Sequence, residues 1–241
     1  MGIRDGWSAA QVRDAEQPLL AAGVPLMARA AADLAAEVER LLERRGRRRG
    51  HLLVLAGSGS NGGDALHATA SLLQRGWSAE VALLGRRVHA GGLRAAARAG
   101  VRVLPPDVPV GRLVARAADA GVVLVGVLGT GAAASPGLRG PARRAFAALT
   151  GVLAGGPPVV AVDLPSGIGP DDGSVHLPVL RTTATVTFGA VKAGLLLHPA
   201  RGRVGELRLV DIGLGPHLAG EPLVLADSTR PGRSGTFIRE R

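Results

Sequence analysis

An apolar segment that leads into a glycine-rich turn and then into a helical pattern constrains the fold of this chain more than any other feature. Residues 51–56, HLLVLA, form a short apolar run of the kind that a strand buried on both faces shows. GSGSNGGD follows at 57–64, and apolar residues then recur at helical spacing over 65–75. Glycine lets backbone amides approach a ligand, and the first amides of a helix are unpaired and carry the positive end of its dipole. The pattern predicts a strand, a phosphate-binding turn and a helix.

Strands and helices alternate along the rest of the chain. Two helices, at 8–20 and 26–42, precede the first strand. Further strands are expected at 80–84, 101–104, 122–128, 159–164, 185–188 and 207–212, and further helices at 92–99, 112–120 and 141–153. Such alternation predicts an α/β fold, with a mainly parallel central sheet covered by helices on both faces. One main domain is expected over residues 1–226, followed by a polar, arginine-rich tail at 227–241 that we expect to be disordered.

The composition narrows the classes of function. The net charge of +10 comes almost entirely from scattered arginine, and the one dense run, at 44–49, is interpreted as a solvated helix end. Aromatic residues make up 2% of the chain, too few to supply stacking platforms, so nucleic acid is not an expected partner. The absence of cysteine excludes disulfides, thiol nucleophiles and thiolate metal sites. No apolar run approaches the ~18 residues of a membrane span, so we expect a cytoplasmic protein.

Three glycine- or carboxylate-bearing loops follow predicted strands: GSGSNGGD at 57–64, GTGAAAS at 129–135 and DLPSG at 163–167. Ligands of open parallel sheets bind beyond the carboxyl ends of the strands, so these loops predict a crevice for a nucleotide-sized ligand. Asn61 and Asp64 could either cap the following helix or contact that ligand. Asp163 could face the crevice as an acid or cap its own turn.

Lys192 is the only lysine of the chain. A lysine ammonium can lose its proton or act as a compact charge, which a guanidinium cannot, so we predict a special role for it, with chance retention as the alternative. The six histidines show no metal-ligand spacing and form no catalytic triad with Ser135.

The first loop also satisfies the dinucleotide pattern G-x-G-x-x-G through Gly57, Gly59 and Gly62. Where that pattern requires an acid after the second strand, the chain has Arg86 and Arg87. An NADP-dependent oxidoreductase is therefore an alternative interpretation.

Four ordered motifs resemble those of the YjeF N-terminal domain family, the NAD(P)H-hydrate epimerases. GSGSNGGD is similar to that family's G-x-G-N-N-G-G-D loop, VLGTG to its L-F-G-T-G segment and VDLPSG to its V-D-I-P-S-G turn. The stretch from TFGAVKAG to VDIGL resembles its C-terminal signature, and VRDAE and VPLMARAA fit its opening helices. The resemblance implies a Rossmann-like three-layer fold, often dimeric, that interconverts the R and S epimers of hydrated NADH and NADPH at C6. It also implies functional coupling to an NAD(P)H-hydrate dehydratase.

Carried residue by residue, the resemblance implies a substrate site and a potassium site. Asp163 and Lys192 would carry the chemistry, Asn61 and Ser166 would hold potassium, and the hydrate is the substrate, so no organic cofactor is expected. The residues that would line the substrate are Ser60, Asn61, Gly62, Gly63, Asp64, Gly129, Thr130, Gly131, Ala132, Ala133, Ala134, Ser135 and Asp163.

The chain departs from the family pattern at several of these places. Val125 stands where the family has an aspartate that binds potassium, and Ser60 stands for the first asparagine of the loop. Ala65 replaces a glycine, and Ala28 and Arg29 replace glutamate and asparagine. These departures predict weakened potassium binding and weakened activity. The alternative to an active epimerase is a catalytically degenerate nucleotide-binding or interaction module of the same fold.

Overall fold

The computed structural model describes residues 5–46 and 50–225. The predicted tail at 227–241 and residues 47–49 of the arginine run lie outside this part of the chain.

A seven-stranded sheet forms the centre of the molecule, and all its strand pairs are parallel. The strands are β2 (His51–Ala56), β3 (Ser78–Leu83), β4 (Arg102–Val103), β5 (Val122–Gly126), β6 (Val159–Val162), β7 (Ala184–Phe188) and β8 (Glu206–Val210). Their order across the sheet is β4-β3-β2-β5-β6-β7-β8. The strand order reverses between β2 and β5, which is where a crevice for a ligand forms in open sheets of this kind.

Helices cover both faces of the sheet. They are α1 (Ala9–Ala21), α2 (Leu26–Arg44), α3 (Ser60–Gln74), α4 (Ala90–Arg98), α5 (Val110–Asp119), α6 (Gly140–Leu153) and the short α7 (Arg201–Val204). Alternate residues of β2 enter different cores: Leu52 and Val54 pack with α2 and α3, whereas Leu53 and Leu55 pack with α5 and α6. This two-sided burial explains the continuous apolar run of the sequence. The predicted three-layer α/β/α sandwich with a mainly parallel sheet is confirmed.

Helix α3 begins earlier than predicted, because the second half of the glycine-rich loop is helical. Gly59, with a φ of 87°, ends the turn, and Ser60 already starts the helix. A Cβ on Gly62 would lie 2.3 Å from the carbonyl oxygen of Gly57. Glycine at Gly62 therefore lets the first helical turn pack against the backbone of the preceding loop.

The N-terminal segment contacts two later parts of the chain. β1 (Asp5–Gly6) pairs antiparallel with β9 (Val224–Leu225). The backbone N–H of Trp7 donates a hydrogen bond to Val191 O at 2.8 Å, and its carbonyl oxygen accepts one from Ala193 N at 2.9 Å. The side chain of Ser8 then caps α1. These bonds fix the start of α1 beside the segment that carries Lys192.

Within residues 5–46 and 50–225, no single helix is long and apolar enough to cross a membrane. Helices α1 and α2 reach such a length and apolar composition only when taken together, and this pair is bent by 115°.

Candidate active site

A cavity of about 380 Å³ opens at the carboxyl ends of the strands, where the three predicted loops meet. Of the residues named from the sequence, Ser60, Asn61, Asp64, Gly129, Thr130, Gly131, Ala132, Asp163 and Lys192 line it, together with Arg13, Glu16, Ser58, Gly59, Leu128 and Phe188. Gly62, Gly63 and the segment 133–135 are not among its lining residues. Gly63 packs against the His89 ring instead, and Ser135 Oγ accepts a hydrogen bond from Arg139 Nη2 at 2.7 Å.

Asp163 follows β6 directly and has an unusual backbone. Its φ is 64°, and it is the only non-glycine residue with positive φ among those the structure describes. Aspartate tolerates this left-handed conformation better than most residues, yet the conformation carries strain. Strain of this kind concentrates at functional sites, where the surrounding structure holds it. Here the backbone N–H donates to Val186 O at 2.7 Å, which keeps the buried carboxylate at the cavity.

Lys192 is almost completely enclosed, with 2% of its surface exposed. Its ammonium donates to three acceptors: Asp163 Oδ1 at 2.5 Å, Thr187 Oγ1 at 3.2 Å and Phe188 O at 3.0 Å. Three acceptors use all three N–H groups of a lysine, whereas a planar guanidinium has five N–H groups in a fixed fork. The geometry accounts for a lysine at this position in a chain that otherwise uses arginine.

Asp64 is a second buried carboxyl in the cavity. It lies on the second turn of α3, is 8% exposed, and makes no side-chain hydrogen bond or ion pair with the residues at 5–46 and 50–225. Burial raises the pKa of Asp64 to about 8, the nearby Asp163 and Glu16 add to this, and Lys192 opposes it. Because the charged form loses its hydration without gaining a hydrogen-bond partner among the described residues, the shift favours the protonated carboxyl.

Glu16 and Arg13 form a wall of the cavity that sequence reasoning missed. Both lie on α1, one turn apart, and they belong to the VRDAE segment that had been noted only as part of an opening helix. Burial raises the pKa of Glu16, while the Lys192 charge lowers it and Asp163 raises it again. Nothing in the sequence indicates that the N-terminal segment reaches this cavity, since that depends on the backbone bonds of Trp7.

Asn61 and Ser166 converge on the backbone of Leu128. Asn61 Nδ2 donates to Leu128 O at 2.9 Å, and Ser166 Oγ accepts from Leu128 N at 2.8 Å and donates to Leu128 O at 3.1 Å. The Asn61 Oδ1 atom is buried and has no hydrogen-bond partner among the residues that the structure describes. The Val125 side chain is 2% exposed and packs in the apolar core between the sheet and the α5–α6 layer.

These residues do not fit a potassium site of the kind that the resemblance implies. Asn61 Oδ1 is one neutral oxygen without a partner, Ser166 Oγ is engaged twice, and Val125 brings an apolar side chain to the place of the family carboxylate. A bound cation requires several oxygen ligands. We therefore do not assign Asn61 or Ser166 as metal ligands.

Comparison with known proteins identifies the family. The family model described as "YjeF-related protein N-terminus" matches residues 23–194. A protein of Clavibacter sepedonicus named "NAD(P)H-hydrate epimerase" is 49% identical over 216 residues, which cover 88% of this chain and 92% of the relative. A protein of Mycobacterium leprae named "Bifunctional NAD(P)H-hydrate repair enzyme Nnr" is 42% identical over 88% of this chain and 42% of its own length. The structure titled "yeast ynu0, YNL200c" shares the fold, with a TM-score of 0.67 and 20% identity over 90% of this chain and 94% of that one. The chain belongs to the family of YjeF-related protein N-terminal domains.

Proposed function

We propose that this protein is an NAD(P)H-hydrate epimerase, which interconverts the R and S forms of hydrated NADH and NADPH at C6. The buried Asp163–Lys192 pair beside the cavity is the observation that carries the proposal, because burying an ion pair is unfavourable unless the site uses it or compensates for it. The relatives named as epimerases support it, since the chain aligns with nearly the full length of the first of them.

The reaction requires a bond at C6 to break and to form again on the other face. C6 of the hydrate carries a hydroxyl group and is bonded to the ring nitrogen N1. Both ring opening and departure of the hydroxyl move protons, so an acid and a base must lie close to C6. We assign Asp163 as the group that moves the hydroxyl proton. The Lys192 ammonium donates to Asp163 Oδ1 at 2.5 Å, so it holds the carboxylate in place and assists its proton transfer.

The cavity also offers positive charge for the diphosphate of the substrate. The first amides of α3 face the loop at Gly59, and unpaired amides at a helix start favour anions. Arg13 lines the cavity, and its guanidinium makes no hydrogen bond to another residue within 5–46 and 50–225. We propose that Arg13 pairs with a phosphate of the substrate, while the nicotinamide end lies against Asp163.

The proposed reaction does not use a bound potassium ion. Because Val125 supplies no carboxylate, we expect the reaction to proceed without dependence on potassium. Coupling to a dehydratase is proposed from the bifunctional relative, which is longer than this chain. The homodimer stays a prediction from the resemblance.

The alternatives have less support. A degenerate binding module has no use for a strained aspartate bonded to an enclosed lysine, and both are present in this cavity. No observation favours the NADP-dependent oxidoreductase.

The proposal is tested with equilibrated NADHX epimers and an S-specific dehydratase with its nucleotide, by following the return of NADH absorbance. The dehydratase alone consumes the S form and then slows to the rate of spontaneous epimerisation. We expect the protein to abolish this slow phase, equally in potassium and in sodium salts. An unchanged slow phase in both salts would contradict the proposed function. A loss of activity confined to sodium would contradict only the part concerning potassium. Asp119→Asn, an exposed change at the end of α5, serves as the control variant.

A further inference from the structure

The cavity holds more carboxyl groups than buried cations. Asp64, Asp163 and Glu16 all line it, and Lys192 is the one buried cation among its lining residues. The Lys192 ammonium lies on Asp163 at 2.5 Å and its other two N–H groups are bonded to Thr187 and Phe188. No lysine N–H remains for Asp64, which makes the carboxyls chemically unequal: Asp163 has a counter-charge and Asp64 has none.

Within residues 5–46 and 50–225, no side chain donates a hydrogen bond to the Asp64 carboxyl or forms an ion pair with it. Asp64 is the fifth residue of α3, so it lies beyond the helix start, where unpaired amides would favour an anion. The charged groups that act on it are Asp163 after β6, Glu16 on α1 and Lys192 after β7. Arg13 on α1 lines the same cavity but is exposed. Between α3 and α4, the rings of His67 and His89 pack edge to face with centroids 5.8 Å apart.

We propose that Asp64 is the proton donor of the reaction, a second carboxyl of the cavity that works together with the Asp163 carboxyl, which is paired with Lys192. This inference rests on the proposed function and adds to it the second proton-transfer group. Asp64 has the properties that such a donor needs: it lines the cavity, it is largely buried, and it is not bonded to another described side chain.

The two carboxyls together complete a balanced cycle of ring opening and closure. Asp163 takes the proton of the C6 hydroxyl, the C6–O bond becomes a carbonyl, and the C6–N1 bond breaks with its electron pair moving to N1. Asp64 gives its proton to N1, whose electrons are delocalised into the carboxamide that is conjugated with it. After rotation about C5–C6, N1 attacks the other face of the carbonyl. Asp64 recovers the N1 proton, and Asp163 returns its proton to the oxygen, so both groups end as they began.

The pH dependence of kcat follows from the protonated and the ionised form of Asp64. Activity requires Asp64 protonated, and the pKa of its carboxyl is raised to about 8 by burial and by the two neighbouring carboxyls. We therefore expect kcat of the wild type to fall as the pH rises through about 8. In Glu16→Gln, which removes one of the neighbouring carboxyls that raise this pKa, we expect the alkaline fall to begin at lower pH.

The test combines kinetics of Asp64→Asn with a direct observation of the proton. General acid catalysis contributes about 100-fold to 10,000-fold, so we expect Asp64→Asn to lower kcat at pH 7 by at least about 100-fold and to lack the alkaline fall. Infrared difference spectra between pH 6.5 and pH 10 are recorded on both proteins. We expect the wild type to show the C=O band of a protonated carboxyl at the lower pH, and Asp64→Asn to lack it.

The outcomes separate this inference from the proposed function. If the wild type does not epimerise NADHX, the proposed function fails, whatever the infrared spectra show. If the wild type is active and Asp64→Asn keeps its kcat, or if no band is lost in Asp64→Asn, the inference is overturned and the function stands. If Asp64→Asn does not fold, the pH profile of Glu16→Gln and the infrared spectrum of the wild type still test the inference. It is refuted if the alkaline fall in kcat of Glu16→Gln occurs at the same pH as in the wild type. It is also refuted if the wild type shows an ionised Asp64 at pH 6.5. Asp119→Asn controls for the loss of a carboxylate elsewhere.

Discussion

Replacing Lys192 by methionine should destabilise the protein far more than the loss of an ordinary ion pair. The change keeps most of the side-chain volume but leaves the Asp163 carboxylate, 7% exposed, without the ammonium that lies 2.5 Å from it. Removing one partner of a buried pair costs about 3–5 kcal/mol, because the remaining charge is desolvated and uncompensated. For a chain of this size each kcal/mol corresponds to roughly 2–4 °C in Tm, so we expect Tm to fall by about 6–20 °C at pH 7.

The measurement is urea and thermal unfolding of the variant beside a surface control. Arg75→Met removes a pair with Glu39 at 2.6 Å whose arginine side chain is 39% exposed, and such a pair contributes about 0–1 kcal/mol. In the double variant Lys192→Met with Asp163→Asn the uncompensated charge is gone, so we expect it to be more stable than Lys192→Met alone. If Lys192→Met is as stable as Arg75→Met, or if the two changes are additive in the double variant, the account of the buried pair is wrong.

Three further perturbations test other parts of the site. Arg13→Gln should raise KM for NADHX by about threefold with little change in kcat, because it removes one exposed charge contact with the substrate. A reduced kcat at unchanged KM would contradict the proposal that Arg13 binds a phosphate of the substrate. Gly62→Ala should lower the free energy of unfolding in urea by about 1–3 kcal/mol, because its Cβ would lie 2.3 Å from Gly57 O. Gly111→Ala is the control, a helical position with nothing within 4 Å of the added Cβ, and it should raise the free energy of unfolding by up to about 1 kcal/mol. Equal effects of the two changes would refute the packing argument. The pKa of Asp64 is raised on folding, so its contribution to stability is present below pH 4 and is lost as the pH rises to about 8. Wild-type stability measured relative to Asp64→Asn should therefore decline over that interval, and a constant difference would contradict the raised pKa.

The sheet and its loops could be predicted because their signals are local. The run at 51–56 is apolar on both faces since Leu52 and Leu53 enter different cores, and glycines mark the turn that follows. The start of α3 could not be predicted, because glycines such as Gly62 are typical of turns. In the structure Gly62 is helical, and its close packing against Gly57 O requires glycine within the helix.

The composition of the cavity could be predicted only in part. Asp163 and Lys192 are 29 positions apart in sequence, and their different loops are brought together by the parallel neighbours β6 and β7. Glu16 could not be placed, because α1 reaches the cavity only through the bonds of Trp7 to the segment that carries Lys192. The raised pKa of Asp64 likewise depends on burial and on the nearby charges of Asp163, Glu16 and Lys192, and none of these is encoded in the local sequence.

Epimerase activity is measured most directly from one purified epimer, without a second enzyme. (S)-NADHX is incubated with the protein at neutral pH, and the appearance of the R epimer is followed by chromatography. We expect the wild type to reach the equilibrium mixture well ahead of the spontaneous reaction, and we expect Asp163→Asn, shown by circular dichroism to be folded, not to do so. Formation of the R epimer at the spontaneous rate with the wild type, or at the wild-type rate with Asp163→Asn, would contradict these expectations.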